Sequence, residues 1–258
     1  PNSMTAEHQL FNFILILARV SAFVAFLPIF AQRQLPHLVK AGLAMSLTVF
    51  WFGALPQELF YVNQIDIVVS ALFLAKEITI GFLLAMLLGF MFVQAKIAGA
   101  YIGQEVGLSL ASVTSPGTSD SSTLVTTIFE TFAVLLFFGL NLHHFLVRIV
   151  HYSLIHLAGK IEITDLPTEL LTQMASSLTT HGSMIAAPIG VSLFILTIAI
   201  SLLNKAAPTL NLFSVGMTLR SGIGILCLIV FFPIIIKSME AHFRIYLFQL
   251  EQFFTYFQ

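Results

Sequence analysis

The amino-acid sequence predicts an all-α integral membrane protein, and two observations carry that prediction. Of the 258 residues, 58% are hydrophobic and only 9% are charged, whereas soluble domains average about 25% charged residues. So few charges cannot clothe a water-facing surface. The apolar residues are also gathered into runs of about 18 or more, the length a helix needs to cross a bilayer. Length alone allows one or two domains, but the hydropathy favours one helical membrane unit. A net charge of −1 gives no electrostatic ground for nucleic-acid binding or a surface anchor. The single cysteine, Cys227, excludes an internal disulfide.

Seven apolar segments follow in order. Leu10–Phe30 is closed by the polar turn "AQRQLPH", and Leu38–Leu55 is ended by Pro56. The first run is too long for a signal-peptide core and has no basic residues before it, so no cleavable leader is expected. Ile67–Phe92 runs on into "VQAKIAGAYIG", and Leu124–Leu140 and Phe145–Leu157 come next. "KIEITDLPTELLTQMASSLTTHG" is polar enough for an exposed connector with a short amphipathic helix. Ile185–Leu203 and Gly216–Ile236 complete the set. The tail "KSMEAHFRIYLFQLEQFFTYFQ" alternates charged and aromatic residues at helical spacing, which predicts a helix at an interface or against a partner. Orientation does not follow. The connectors around Arg33/Lys40 and Lys205/Arg220 are both positive, yet strict alternation of seven spans puts them on opposite faces, against the positive-inside rule.

Charged residues fall where lipid disfavours them: Arg19, Lys76, Glu77, Glu130 and Arg148 lie within or beside apolar runs. An ionisable group at mid-membrane costs at least roughly 2.5–3.5 kcal/mol on insertion scales and so faces a partner or a cavity. Either adjacent helices pair Arg with Glu inside one bundle, or these groups line a water-filled path or a subunit interface.

No catalytic motif is present. Neither G-x-x-x-x-G-K-[ST] nor G-x-G-x-x-G occurs, and no Ser, Cys or Glu sits in a nucleophile or metalloprotease setting. The sequence therefore points away from an enzyme and calls for no cofactor. Four histidines gather at His143, His144, His151 and His156. His144 and His151 share a helix face at a spacing that suits a metal, but a haem pair needs a second set on another segment. Ordinary hydrogen bonding near a helix end is the plainer account.

Small residues are more informative. Ala95, Gly99, Gly103, Gly107, Ala111 and Ser115 recur every fourth position, forming one narrow ridge if the third helix continues through them. Such small-xxx-small ridges let helix backbones approach closely. A shorter ridge, Gly182, Ala186 and Gly190, enters the sixth segment. At "SPGTSDSS" the pattern stops: Pro116 and Gly117 break the helix, and Asp120 or Ser121 is placed to cap the next one. Non-helical backbone at membrane depth survives only when covered by protein or lining a cavity. Residues 103–122 are thus a loop in water, a pore lining or a plug.

Two passages resemble the flagellar biosynthetic protein FliR family. "ARVSAFVAFLPIFAQRQLPHLVKAGLAMSLTV" (Ala18–Val49) is similar to its start, where an Arg-containing helix leads through a Pro turn to a basic residue and an Ala/Leu helix. "NKAAPTLNLFSVGMTLRSGIGI" (Asn204–Ile225) is similar to its late signature, carried here by Pro208, Asn211, Phe213 and Gly216. "GQEVGL" and "LNLHHFLV" also fit, with one departure: at "GLNLHH" the resemblance implies a second glycine close before the histidine pair. The resemblance covers nearly the whole chain. It implies an all-α export-gate subunit of long helical hairpins, with a FliP-like part over residues 1–181 and a FliQ-like hairpin and tail over 182–258. It further implies a single copy in a hetero-oligomer with FliP-like, FliQ-like and FlhB-like partners, held largely above the bilayer in the basal body of the bacterial inner membrane, with unfolded proteins passing through. In that setting Arg19 and other buried charges are expected at subunit contacts, and residues 103–122 act as a plug. Gly99, Gly103 and Gly107 then permit tight packing, Gln104 and Glu105 hydrogen-bond across the lumen, and Ser115, Pro116 and Gly117 belong to the mobile turn. The rival classes are a stand-alone transporter with a re-entrant substrate loop and a haem- or metal-binding membrane protein.

Overall fold

The computed structural model describes residues 6–31, 36–56, 67–108, 123–157, 168–206 and 212–255. Among these every regular element is a helix: α1 (Ala6–Phe26), α2 (Pro28–Ala31), α3 (His37–Ala54), α4 (Ile67–Val106), α5 (Leu124–Gly139), α6 (Leu142–His156), α7 (Thr168–Ala206) and α8 (Leu212–Thr255). Five of these are long and apolar enough to cross a membrane, or up to six if α5 and α6 form one bent span. Counted as six, the connectors around Arg33/Lys40 and Lys205/Arg220 fall on the same face; counted as five, they stay on opposite faces. With 16 and 15 residues, α5 and α6 are each shorter than the roughly 20 residues a crossing takes.

The chain divides into two compact units. The first comprises Pro1–Phe90, Phe138–Thr168 and Phe253–Gln258. In it, Leu15, Ile16, Arg19, Val20 and Phe23 are buried at helical spacing along α1, and Phe13 meets Phe52 of α3 edge-on at 5.5 Å. Gly81 allows α4 to press on α1, because a Cβ there would run into the carbonyl oxygen of Arg19. The Arg19 side chain is fully buried and its Nε donates to Glu77 Oε2 at 2.5 Å. Its Nη1 donates to the carbonyl of Ser153 and, at 3.3 Å, to that residue's hydroxyl. Of the two readings open for the charges in apolar runs, pairing within one bundle holds for Arg19 and Glu77. The expected subunit contact at Arg19 gives way to a partner in the same chain, since nothing of this guanidinium reaches the surface.

α6 begins at Leu142 because Asn141 takes a left-handed conformation, φ 57° and ψ 27°. Asn is among the few side chains that tolerate this region. The turn before α6 is therefore made without a glycine.

The second unit comprises Met91–Phe137 and Glu169–Gln252. Its α7 is one continuous helix of 39 residues from Thr168 to Ala206, so the part of the polar stretch expected as a short amphipathic helix is the start of this long helix, while residues 160–167, expected as connector, lie outside the described residues. Likewise α8 runs unbroken into the tail. There Met239, Phe243, Tyr246 and Leu250 are fully buried at i, i+4, i+7 and i+11, and Phe243 meets Phe92 at 6.5 Å. That stripe is buried within this chain, while Ile245 and Phe248 of the same tail stay exposed.

Candidate functional site

The site is the C-terminal end of α4 and what closes it. A helix leaves its last four carbonyls without intrahelical partners; here these belong to Gly103, Gln104, Glu105 and Val106. Gly107 takes φ +84°, a conformation cheap only without a Cβ. That turn brings Leu108 N–H to Gly103 O and Gly107 N–H to Gln104 O, each at 3.1 Å, the pair of bonds that defines a Schellman motif. The remaining two acceptors are met from α8. Arg220 Nε donates to Glu105 O at 2.5 Å, and the Ser221 hydroxyl donates to Val106 O at 2.9 Å. All four carbonyls are accounted for.

Charge reinforces this closure. The Arg220 guanidinium also donates through Nη2 to Glu105 Oε2, so one side chain holds both the backbone and the carboxylate of Glu105. One turn further along α8, a Cβ on Gly224 would lie 2.9 Å from Val106 Cγ2, so the contact requires a glycine there.

The small-residue ridge faces α5. A Cβ on Gly99 would lie 2.8 Å from Thr126 Cα, and one on Gly103 would strike the Thr123 hydroxyl. Ala95 is fully buried on the same face. Thr123 Oγ1 accepts the Thr126 N–H at 3.3 Å, which makes Thr123 the N-cap of α5; the expected caps Asp120 and Ser121 lie outside the described residues. Lys96 and Glu130 add a partly exposed pair at 3.4 Å. The second ridge is only partly engaged: a Cβ on Gly182 would lie 2.7 Å from Ile97 Cγ2, Ala186 is buried, and Gly190 has open space around it.

Of the residues expected to act here, Gly103, Gln104, Glu105 and Gly107 are brought together; Gln104 is exposed and Glu105 half-buried. Glu105 is engaged by Arg220 within the chain, which differs from the expected bond across a lumen. Ala111, Ser115, Pro116, Gly117, Pro208 and Asn211 lie outside the described residues. Phe213 and Gly216 sit inside the first turns of α8, and a Cβ on Gly216 would meet Ile200 at 3.6 Å. His144 and His151 are exposed on α6, His143 packs on His144 at 4.2 Å, and His156 stacks on Tyr152 at 4.1 Å. Among the described residues no three His, Cys, Asp or Glu side chains group as a metal site. Sequence reasoning passes over Arg220, Ser221, Gly224 and Thr123 at this site. The only available signal was "RSGIG" at the head of an apolar run, a charge, a hydroxyl and a glycine on neighbouring helix positions.

Long apolar helices with a glycine-tight, fully hydrogen-bonded helix end define a helical membrane protein. Its family follows from comparison: residues 10–245 match the model of the bacterial export proteins, family 1, and the chain belongs to that family. It is 31% identical over 231 residues to the flagellar biosynthetic protein FliR of Escherichia coli, covering 88% of this chain and 86% of that one. With the FliR of Bacillus subtilis it shares 27% over 238 residues, 90% of each chain. It is also similar, at 21% over 229 residues and 87% of each chain, to the Yop proteins translocation protein T of Yersinia pestis.

Proposed function

We propose that this chain is a non-enzymatic core component of the flagellar type III protein export gate, completing and closing the channel through which unfolded flagellar substrates pass. The observation that carries this reading is the locked end of α4, whose capping turn through Gly107 and Leu108 ends directly before the Gly/Ser/Pro-rich stretch of residues 109–122. A gate needs an element that moves on a root that does not, and the sequence places a turn-prone stretch directly after a fully bonded helix end. The relatives named FliR support the flagellar assignment, and the match to a translocation protein supports protein export as the activity.

The partners on this reading are FliP-like, FliQ-like and FlhB-like subunits, with this chain in single copy in the bacterial inner membrane at the flagellar basal body. Two features support a multi-subunit setting. Only 22% of the most apolar stretch of α7 and 11% of that of α8 is buried, against 61% for α4. The surface of α7 also changes chemistry near Met184, from exposed Thr172, Ser176 and Thr179 to exposed Val191, Phe194 and Ile198. On this reading a FliP-like part over residues 1–181 joins a FliQ-like part over 182–258, and the change near Met184 supports a join there.

The test is deletion of residues 110–119. Leakage of small ions through the assembled complex rises, and native mass spectrometry still finds a stoichiometric complex with one copy of this chain. An assembled deletion variant that stays as tight as the parent refutes closure by this segment; a self-contained homo-oligomer that moves solute alone points instead to the stand-alone transporter.

A further inference from the structure

We infer that Gln94, His181 and His242 enclose a buried, hydrated site in the second unit that binds one proton, shared between the two imidazoles. The site stands on geometry within that unit and is independent of the export role. Three contacts put the residues at one level. A Cβ on Gly182 of α7 would lie 3.1 Å from the Gln94 carbonyl oxygen of α4, and Phe92 of α4 meets Phe243 of α8 at 6.5 Å. The His181 and His242 rings meet between α7 and α8 with centroids 5.0 Å apart. The face of α4 that carries Gly99 is turned to α5, which leaves Gln94 on the side of α7 and α8.

Gln94 is fully buried, yet among the described residues neither its Oε1 nor its Nε2 has a partner. His181 Nδ1, at the same level, is buried and equally unpaired. Buried polar groups of native proteins are bonded to protein or to ordered water. Water suits all three atoms: it donates to the amide oxygen, accepts from the amide nitrogen and bonds a ring nitrogen in either protonation state. The second ring is oriented for the same role. His242 Nδ1 lies 2.7 Å from the Ser238 carbonyl oxygen, which can only accept, so Nδ1 carries the hydrogen and Nε2 is left to take a proton.

The charges around the site are engaged elsewhere. Lys96 of α4 pairs with Glu130 of α5 at 3.4 Å, and Arg244 pairs with Glu240 along α8 at 2.9 Å. Lys237 is exposed and Tyr246 fully buried, and His181 is the one titratable residue of α7 between Glu169 and Lys205. Neither imidazole has a carboxylate partner among the described residues. One proton is accommodated, because an imidazolium gains hydrogen bonds to the amide oxygen and to water. A second would set like charges on rings 5.0 Å apart, so the two rings titrate as a pair.

The experiment uses nuclear magnetic resonance on the purified full chain, isotope-labelled at histidine and glutamine nitrogen. His181→Phe and His242→Phe, or the Asn replacements should either fail to fold, assign the two rings among the eight histidines. At about pH 5 the pair holds one proton, whereas in either single replacement the remaining ring is fully protonated. Two rings that each fill at the same pH whether or not the other is present overturn the shared proton. A water cross-peak is expected at the Gln94 side-chain amide, and its absence overturns the hydrated site. Gln94→Met keeps the shape and removes the bonds, so the folding equilibrium at fixed SDS moves about tenfold toward the unfolded chain. A shift the other way marks an amide that gains nothing from its surroundings and also overturns the site. Should Gln94→Met fail to fold, the cross-peak and the two histidine titrations, read with Gln94 intact, decide both questions.

Discussion

Arg19 and Glu77 show what a single buried pair contributes and what it does not. Both are fully buried, and the bond between them is short, but among the described residues one oxygen of Glu77 and one nitrogen of Arg19 have no partner. A pair with incomplete hydrogen bonding recovers its desolvation cost poorly, while removing one member strands the other. We therefore predict that Glu77→Ala or Arg19→Ala destabilises the protein by about 3–5 kcal/mol, measured as a lower midpoint in SDS titration of the purified chain. The double replacement Arg19→Met/Glu77→Leu recovers most of that loss. Charges inside apolar runs were legible in the sequence as buried and in need of partners. Which partner each took was not, because the pairs join positions 58 and 115 residues apart and periodicity carries no information at that range.

The elements were legible wherever a period ran uninterrupted and less so at their ends. The four-residue recurrence of Ala95, Gly99 and Gly103 correctly implied a close helix contact, and its partner is α5 of the same chain. Replacing Gly99 by Leu forces bulk against the backbone of Thr126, and overpacking of this kind costs typically about 1–3 kcal/mol. Gly190→Leu, entering open space, leaves the chain's own stability unchanged; equal loss in the two variants, compared by the same SDS titration, refutes the ridge. The break before α6 gives a second test. Asn141→Gly keeps or slightly raises stability, whereas Asn141→Val loses about 1–2 kcal/mol because a branched side chain is disfavoured in the left-handed region. The start of α7 was harder to read. Its first half lacks an apolar run, so hydropathy places the helix start at Ile185, 17 residues after its first residue at Thr168.

At the scale of the molecule, composition alone settled the class, since a chain with 9% charged residues has no soluble alternative of this size. Helix length adds what composition could not. α4, α7 and α8 have 40, 39 and 44 residues, and at 1.5 Å per residue each spans roughly 60 Å, about twice the hydrocarbon core of a bilayer. A large part of each helix therefore has to stand in another medium. For α7 the exposed surface identifies which part: its first half presents Thr172, Ser176 and Thr179, and its second half presents Phe194, Ile198 and Leu202. In a Cys227→Ser background, Ser176→Cys should react with a charged, membrane-impermeant maleimide and Phe194→Cys should not. Equal labelling of the two positions would show that the change in surface chemistry does not mark a change of medium.

The bond-for-bond closure at the end of α4 has a mechanical consequence. A helix with free carbonyls at its end unzips under tension one weak link at a time. Here a pull on the chain beyond Leu108 loads two turn bonds and two cross-links to α8 together. The junction then resists as a unit up to a threshold set by those four bonds together.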